Sequence, residues 1–237
     1  MEGPNKRVKV SDLALSNSVI VKTSWTQLYE SILKPIESDE DAMEKIALEC
    51  FSINLSLSPE DLVKLKGLIH ATRLKYNDVM YHSFKHGLHV LVNCAKILYE
   101  HQKYIDDIDN TNNKLTQCQI YATIFAALIH DIEHLGVFNS TLISNRHELA
   151  ILYNDQSVAE MRSLNIGLNY LYDFEILNNL SEKEFKDFRK LVIDLVLSTD
   201  IVDPIRYNII HLFEFKIIYL HFIGYYIITT IPKKNPI

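Results

Sequence analysis

Four histidines of the chain fall into two pairs of equal spacing, His82 and His86 in Tyr81-His-Ser-Phe-Lys-His-Gly87, and His130 and His134 in Ile129-His-Asp-Ile-Glu-His-Leu135. Residues four apart share one face of a helix. On a helix, His130, Asp131 and His134 would span an arc of roughly 100°. Two imidazoles and a carboxylate would then converge near one helix end. The preceding run, Ile124-Phe-Ala-Ala-Leu-Ile129, is uniformly apolar and predicts burial. A carboxylate carried inward on such a segment is costly unless it is paired or metal-bound. Imidazole with carboxylate suits Zn, Mn, Fe or Mg. A single His-x-x-x-His pair more often marks hydrogen-bonded core histidines. Two pairs beside an aspartate leave a metal site and a buried polar cluster as the two readings. His89 reads as structural, and His70, His101, His147, His211 and His221 receive no role.

The elements that must hold these residues are helical. The chain has six glycines and six prolines, and long apolar runs with helical spacing dominate over alternating ones. Ser58-Pro59-Glu60-Asp61 predicts a helix start: a serine cap, proline in the first turn, then acids at the positive end of the dipole. Ser181-Glu182-Lys183-Glu184 has capping-box spacing and precedes Phe185, Phe188, Leu191, Val192, Leu195 and Val196 on one side. Asp107 to Asn113 predicts a polar loop. No internal repeat or low-complexity tract is present.

With 48% hydrophobic and 23% charged residues, the 237-residue chain can bury a sizeable core. Its net charge of -6 argues against a nucleic-acid partner. A phosphate ester substrate stays open, because bound cations supply positive charge locally. Cys50, Cys94 and Cys118 form no paired spacing, which predicts neither disulfides nor a cysteine metal site and fits a cytoplasmic setting. Met1 to Ser18 does not read as a signal peptide, and Lys6-Arg7-Val8-Lys9 reads as a solvated basic run. Ile217 to Ile231 carries no charge. A membrane span needs ~20 apolar residues, so this shorter segment reads as a buried helix or a tail outside the fold, with a membrane anchor as the alternative localisation.

Taken together, these segments resemble the catalytic domain of the class I 3′,5′-cyclic nucleotide phosphodiesterases, within the wider HD-type metallohydrolases. Tyr81 to Gly87 is similar to the family's YHNxxHA motif. His130-Asp-Ile-Glu-His-Leu-Gly136 with Asn139 is similar to HDxxHPG…N. Glu148 to Glu160 resembles its LAxxYNDxSVLE stretch, and Leu191 to Asp200 its IxxxVLxTD stretch. The motifs stand in the family's order, across about residues 60 to 203. Another HD-type phosphohydrolase is disfavoured, because generic members lack the last two stretches.

The resemblance implies an all-α, compact multi-helix domain that hydrolyses cAMP and/or cGMP to the 5′-monophosphate by a two-metal, metal-hydroxide mechanism, with Zn and Mg (or Mn) as cofactors. It implies His86, His130 and Asp131 as ligands of the first metal, Asp131 bridging to the second. His82 resembles the general acid that protonates the leaving O3′. His134, Glu160 and Thr199 resemble residues that hold water or phosphate, and Tyr81, Asn139 and Asp200 resemble supports around the pocket. The chemistry is coherent: two cations neutralise the phosphodiester, and an acid frees the alkoxide, worth roughly two to four orders of magnitude.

Ser83, Leu135, Met161-Arg162-Ser163 and Pro204 depart from the family's usual residues without removing a first-metal ligand. The family carries a second metal-binding aspartate and a base-gripping glutamine beyond its TD pair, and residues 208–237 do not resemble that continuation. The expectation is therefore a C-terminally truncated, divergent domain. Residues 1–20 form a flexible tail, 21–207 the partial catalytic domain and 208–237 an atypical hydrophobic tail. A catalytically inactive remnant that binds metal or partners is the alternative function.

Overall fold

A computed structural model describes residues 40–107, 114–178 and 180–200. The expected tails at 1–20 and 208–237, Pro204, and most of the Asp107–Asn113 loop lie outside them. Asp107 itself closes a helix. All elements among the described residues are helical, as the apolar spacing predicts: α1 Glu40–Asn54, α2 Pro59–Lys75, α3 Phe84–Asp107, α4 Gln117–Ile129, α5 Asn139–Ser144, α6 Glu148–Leu152, α7 Val158–Asp173 and α8 Glu182–Leu197.

Local chemistry sets several boundaries. Ser58 and Asp61 form a reciprocal capping box with Pro59 in the first turn, and Arg73 and Lys75 occupy the last turn of α2, where the dipole favours cations. Ser181 and Glu184 cap α8 in the same way. A third box, Thr116 with Gln119, opens α4. Each such cap is worth about 1 kcal/mol.

The core is built around α4, whose residues from Ala122 to Ile129 are all buried. It packs against α1, α3, α7 and α8. Phe51, Leu65, Leu88, Leu91, Phe125 and Phe188 are fully enclosed in one apolar cluster, each contributing roughly 1.5–3 kcal/mol by its removal from water. α8 presents Phe188, Val192 and Val196 to α4, the side foreseen from the capping box onward. α7 approaches through Gly167, where a Cβ would lie 2.5 Å from Ile129 Cδ1. α2 and α3 meet at a similar point: a Cβ on Gly87 would lie 2.6 Å from the Tyr76 hydroxyl, and that hydroxyl donates to the Leu128 carbonyl at 2.9 Å.

One expectation needs correcting. Neither histidine pair lies along a single helix. His82 precedes α3, whose first turn holds His86, and α4 stops at Ile129, so His130 caps it and His134 lies in the following turn. Among the described residues, no helix is long and apolar enough to cross a membrane.

Candidate metal centre

The end of α4 delivers His130 and Asp131 into a buried position, and the start of α3 brings His86 against them. Ligand atoms of His86, His130 and Asp131 lie within 4.8 Å of one another. His130 Nε2 is 3.2 Å from Asp131 Oδ2, and His86 Nε2 is 3.6 Å from the same oxygen. His130 Nδ1 lies 3.0 Å from the Ala127 carbonyl. A carbonyl only accepts, so Nδ1 carries a proton and Nε2 faces the carboxylate. Two acceptors cannot face each other at that distance without a cation or a second proton between them. Burial opposes charge on both groups. Their mutual attraction wins, so the His130 pKa is raised and Asp131 is held well below the usual carboxylate range. A divalent cation can replace the shared proton, and a histidine whose Nδ1–H is fixed on a backbone carbonyl is a pre-oriented ligand. Burial, then the charge of His130, lowers the His86 pKa to about 3, which keeps this imidazole neutral and able to coordinate.

The other members of the pairs flank this cluster. His82 Nδ1 is 2.8 Å from Asp131 Oδ2, and its ring stacks on His134 with centroids 3.7 Å apart. His82, Asp131 and His134 also bring ligand atoms within 4.8 Å of one another. The set with His86 and His130 fits a cation better. His134 Nδ1 accepts the Gly136 N–H at 3.0 Å, and burial lowers its pKa to about 4, so the proton of its neutral ring sits on Nε2. Tyr81 lays its ring 4.4 Å from that of His86.

A second polar group forms where α5, α7 and the end of α8 meet. Asn139 donates from Nδ2 to Glu160 Oε2 at 2.9 Å and to Asp200 Oδ2 at 3.5 Å, while its Oδ1 accepts the Ala159 N–H. Ser157 donates to Asp200 Oδ2 at 2.6 Å. Burial pushes the Glu160 pKa up to about 7, against the bond from Asn139 and with the help of the Asp200 charge. Asn139, Glu160 and Asp200 are thus brought together. Thr199 turns its hydroxyl back to the Val196 carbonyl at 2.7 Å and so finishes α8.

Sequence reasoning missed Asn77, Lys75, Glu133, Ser157, Arg162 and Ser163. Asn77 donates to the His134 carbonyl and Ser163 to the Ile132 carbonyl, so both hold the histidine-bearing turn. Their types are ordinary for exposed helix ends and loops, and no spacing rule ties them to a turn more than thirty residues away in sequence. Only the departure at Met161-Arg162-Ser163 gave a signal.

Comparison with known proteins shows which family the chain is similar to. Residues 81–207 match the sequence pattern of the 3′5′-cyclic nucleotide phosphodiesterase family. The chain is 39% identical over 123 residues to a dual specificity calcium/calmodulin-dependent 3′,5′-cyclic nucleotide phosphodiesterase 1C of Homo sapiens, covering 51% of this chain and 16% of that protein. It is 37% identical over 127 residues to a probable 3′,5′-cyclic-AMP phosphodiesterase of Caenorhabditis elegans, covering 53% of this chain and 18% of that one. The phosphodiesterase domain of a rhodopsin phosphodiesterase from the choanoflagellate Salpingoeca rosetta superposes with a TM-score of 0.60 at 25% identity, over 82% of this chain and 55% of that domain. A second structure of the phosphodiesterase domain from that organism gives the same TM-score at 24% identity. The chain thus spans under a fifth of the curated relatives and just over half of the solved domains.

Proposed function

The chain belongs to the 3′5′-cyclic nucleotide phosphodiesterase family, and on that premise we propose that it hydrolyses a 3′,5′-cyclic nucleotide, cAMP and/or cGMP, to the 5′-monophosphate. His86, His130 and Asp131 would hold the first divalent cation, Zn, and Asp131 would also serve a second, Mg (or Mn). Such cations, when bound, offset the charge of the phosphodiester and lower the pKa of a coordinated water. The supporting observation is the locked His130 ring, with Nδ1–H committed to Ala127 and Nε2 facing a carboxylate that His86 also approaches.

The remaining steps belong to the side chains. His82 is held through Nδ1 by Asp131, which leaves Nε2 to give a proton to the departing O3′. His134 donates from Nε2 to a water or phosphate oxygen. Glu160, with its pKa at about 7, can accept or give a proton to a water near neutrality. Asn139 and Asp200 orient Glu160, Thr199 is a further contact for water or phosphate, and Tyr81 walls the His86 side.

The purified chain, assayed with cAMP and with cGMP in the presence and absence of Zn and Mg, tests this. Metal-dependent release of 5′-monophosphate is the expected result. Cation uptake without hydrolysis of either substrate would make the chain a metal-binding module, and no uptake at all would overturn the assignment.

A further inference from the structure

Between Asp131 and His134, Glu133 takes a left-handed conformation, φ 56°. That is unfavourable for a side-chain-bearing residue and persists only where surroundings over-determine it. Here they do. The Glu133 N–H donates to the Lys75 carbonyl at 3.1 Å. Lys75 Nζ donates to Glu133 Oε1 at 3.1 Å. Arg162 reaches Glu133 Oε2 with both Nε, at 2.8 Å, and a terminal nitrogen, at 2.5 Å. All three side chains are partly shielded, with 21% of Glu133, 27% of Arg162 and 36% of Lys75 exposed. The next residue along α7, Ser163, fixes the Ile132 carbonyl at 3.0 Å. Two consecutive residues of α7 therefore hold two consecutive residues of the turn between the ligand Asp131 and His134. Both belong to the Met161-Arg162-Ser163 departure, so the divergent residues form a brace.

We propose that Arg162, acting through Glu133, is a positioning residue for the turn 130–134 and sets its affinity for a divalent cation. A planar fork fixes the direction of a carboxylate as well as its charge, which a lysine would not do. Glu133 is itself the left-handed residue between Asp131 and His134, so fixing its carboxylate fixes the turn. The inference rests on the proposed metal site.

Zinc binding to the full 237-residue chain, measured by equilibrium dialysis without substrate, tests the proposal. Arg162→Ala should weaken binding by about ten- to a hundredfold, the usual loss when a partner behind a metal ligand is removed. Glu133→Gly keeps the left-handed backbone without strain but deletes both ion pairs, and should lose a similar factor. The double variant should be no worse than either single one, since both changes break the same link. Unchanged affinity in either single variant, or losses that multiply in the double, would overturn the proposal. If Arg162→Ala fails to fold, Arg162→Lys carries the test with a partial loss expected. A wild-type chain that takes up no zinc would count against the proposed function. Amide exchange across residues 131–136 then decides the brace: about tenfold faster exchange in Arg162→Ala supports it, and unchanged exchange sinks it.

Discussion

Asp131 is buried and Glu160 half-buried, and they lie close enough to feel each other's charge, yet their pKa values move in opposite directions. Asp131 is surrounded by His82, His86 and His130, and stays ionised far below its ordinary range. Glu160 meets a neutral amide and the negative Asp200, and holds its proton up to a pH of about 7. Burial acts on both in the same direction. The partners decide the outcome: imidazoles that share a proton keep one carboxylate charged, while an amide and a like charge keep the other protonated. Under the proposed function, residues 130–134 are the charge-bearing half of the site, and the junction of α5, α7 and the end of α8 is its proton store and proton-exchanging half.

The sharpest way to break this contrast is to neutralise each acid in turn. Asp131→Asn should abolish stoichiometric zinc uptake, measured by metal analysis after dialysis, because His130 loses its counter-charge. Glu160→Gln should leave uptake intact. Equal losses would mean that the two halves do not divide the work as described. Next, His82→Ala should lower kcat by roughly two to four orders of magnitude with metal content held, the signature of a lost acid. A parallel fall in bound metal would make His82 a ligand instead.

The pH dependence of the metal-free chain sharpens the contrast further. A folded-state pKa raised from 4.5 to about 7 means that the native chain keeps a proton the unfolded chain has lost. The Glu160 contribution is therefore fully present below pH 4.5 and is lost as pH rises through about 7. Glu160→Gln should gain stability relative to wild type between these limits, on the order of a few kcal/mol in denaturant melts. The depressed Asp131 has the opposite sign: its contribution is present above the ordinary aspartate range and disappears as pH falls through its folded value. A flat difference between wild type and Glu160→Gln would remove the proton store. The smallest expected effect comes from the joint between the halves. Gly167→Ala places a Cβ against Ile129, one residue before His130, and should cost about 1–3 kcal/mol in thermal melts. An unperturbed Tm would mean that α7 can slide on α4 at no cost.

The sequence made the helices legible wherever local chemistry sets a boundary. Ser58 with Asp61 and Ser181 with Glu184 announce their helices because a cap bonds to its own backbone neighbours. The cluster of His82, His86, His130, Asp131 and His134 was legible because two histidine pairs share one spacing and the second follows an apolar run beside an aspartate; the ligand set among them came from the family resemblance. The geometry that unites them was not. A four-residue spacing suggests a shared helical face, but α4 ends at Ile129, and a turn with a left-handed Glu133 swings His134 round to stack on His82. Arg162 and Lys75 escaped notice because ion pairs between distant segments leave no periodic trace. Thr199 was expected to hold water or phosphate, and its hydroxyl donates to the Val196 carbonyl at the end of α8, a local bond that no spacing pattern announces.

Tyr76 stands behind the ligands as a strut. Its hydroxyl grips the Leu128 carbonyl two residues before His130, and its ring fills the notch left by Gly87 beside His86. The gap between the two imidazoles is thereby gauged by a rigid aromatic ring rooted in the core. A separation set by core packing does not depend on a bound ion, so chelation should leave the thermal melt of the chain unchanged.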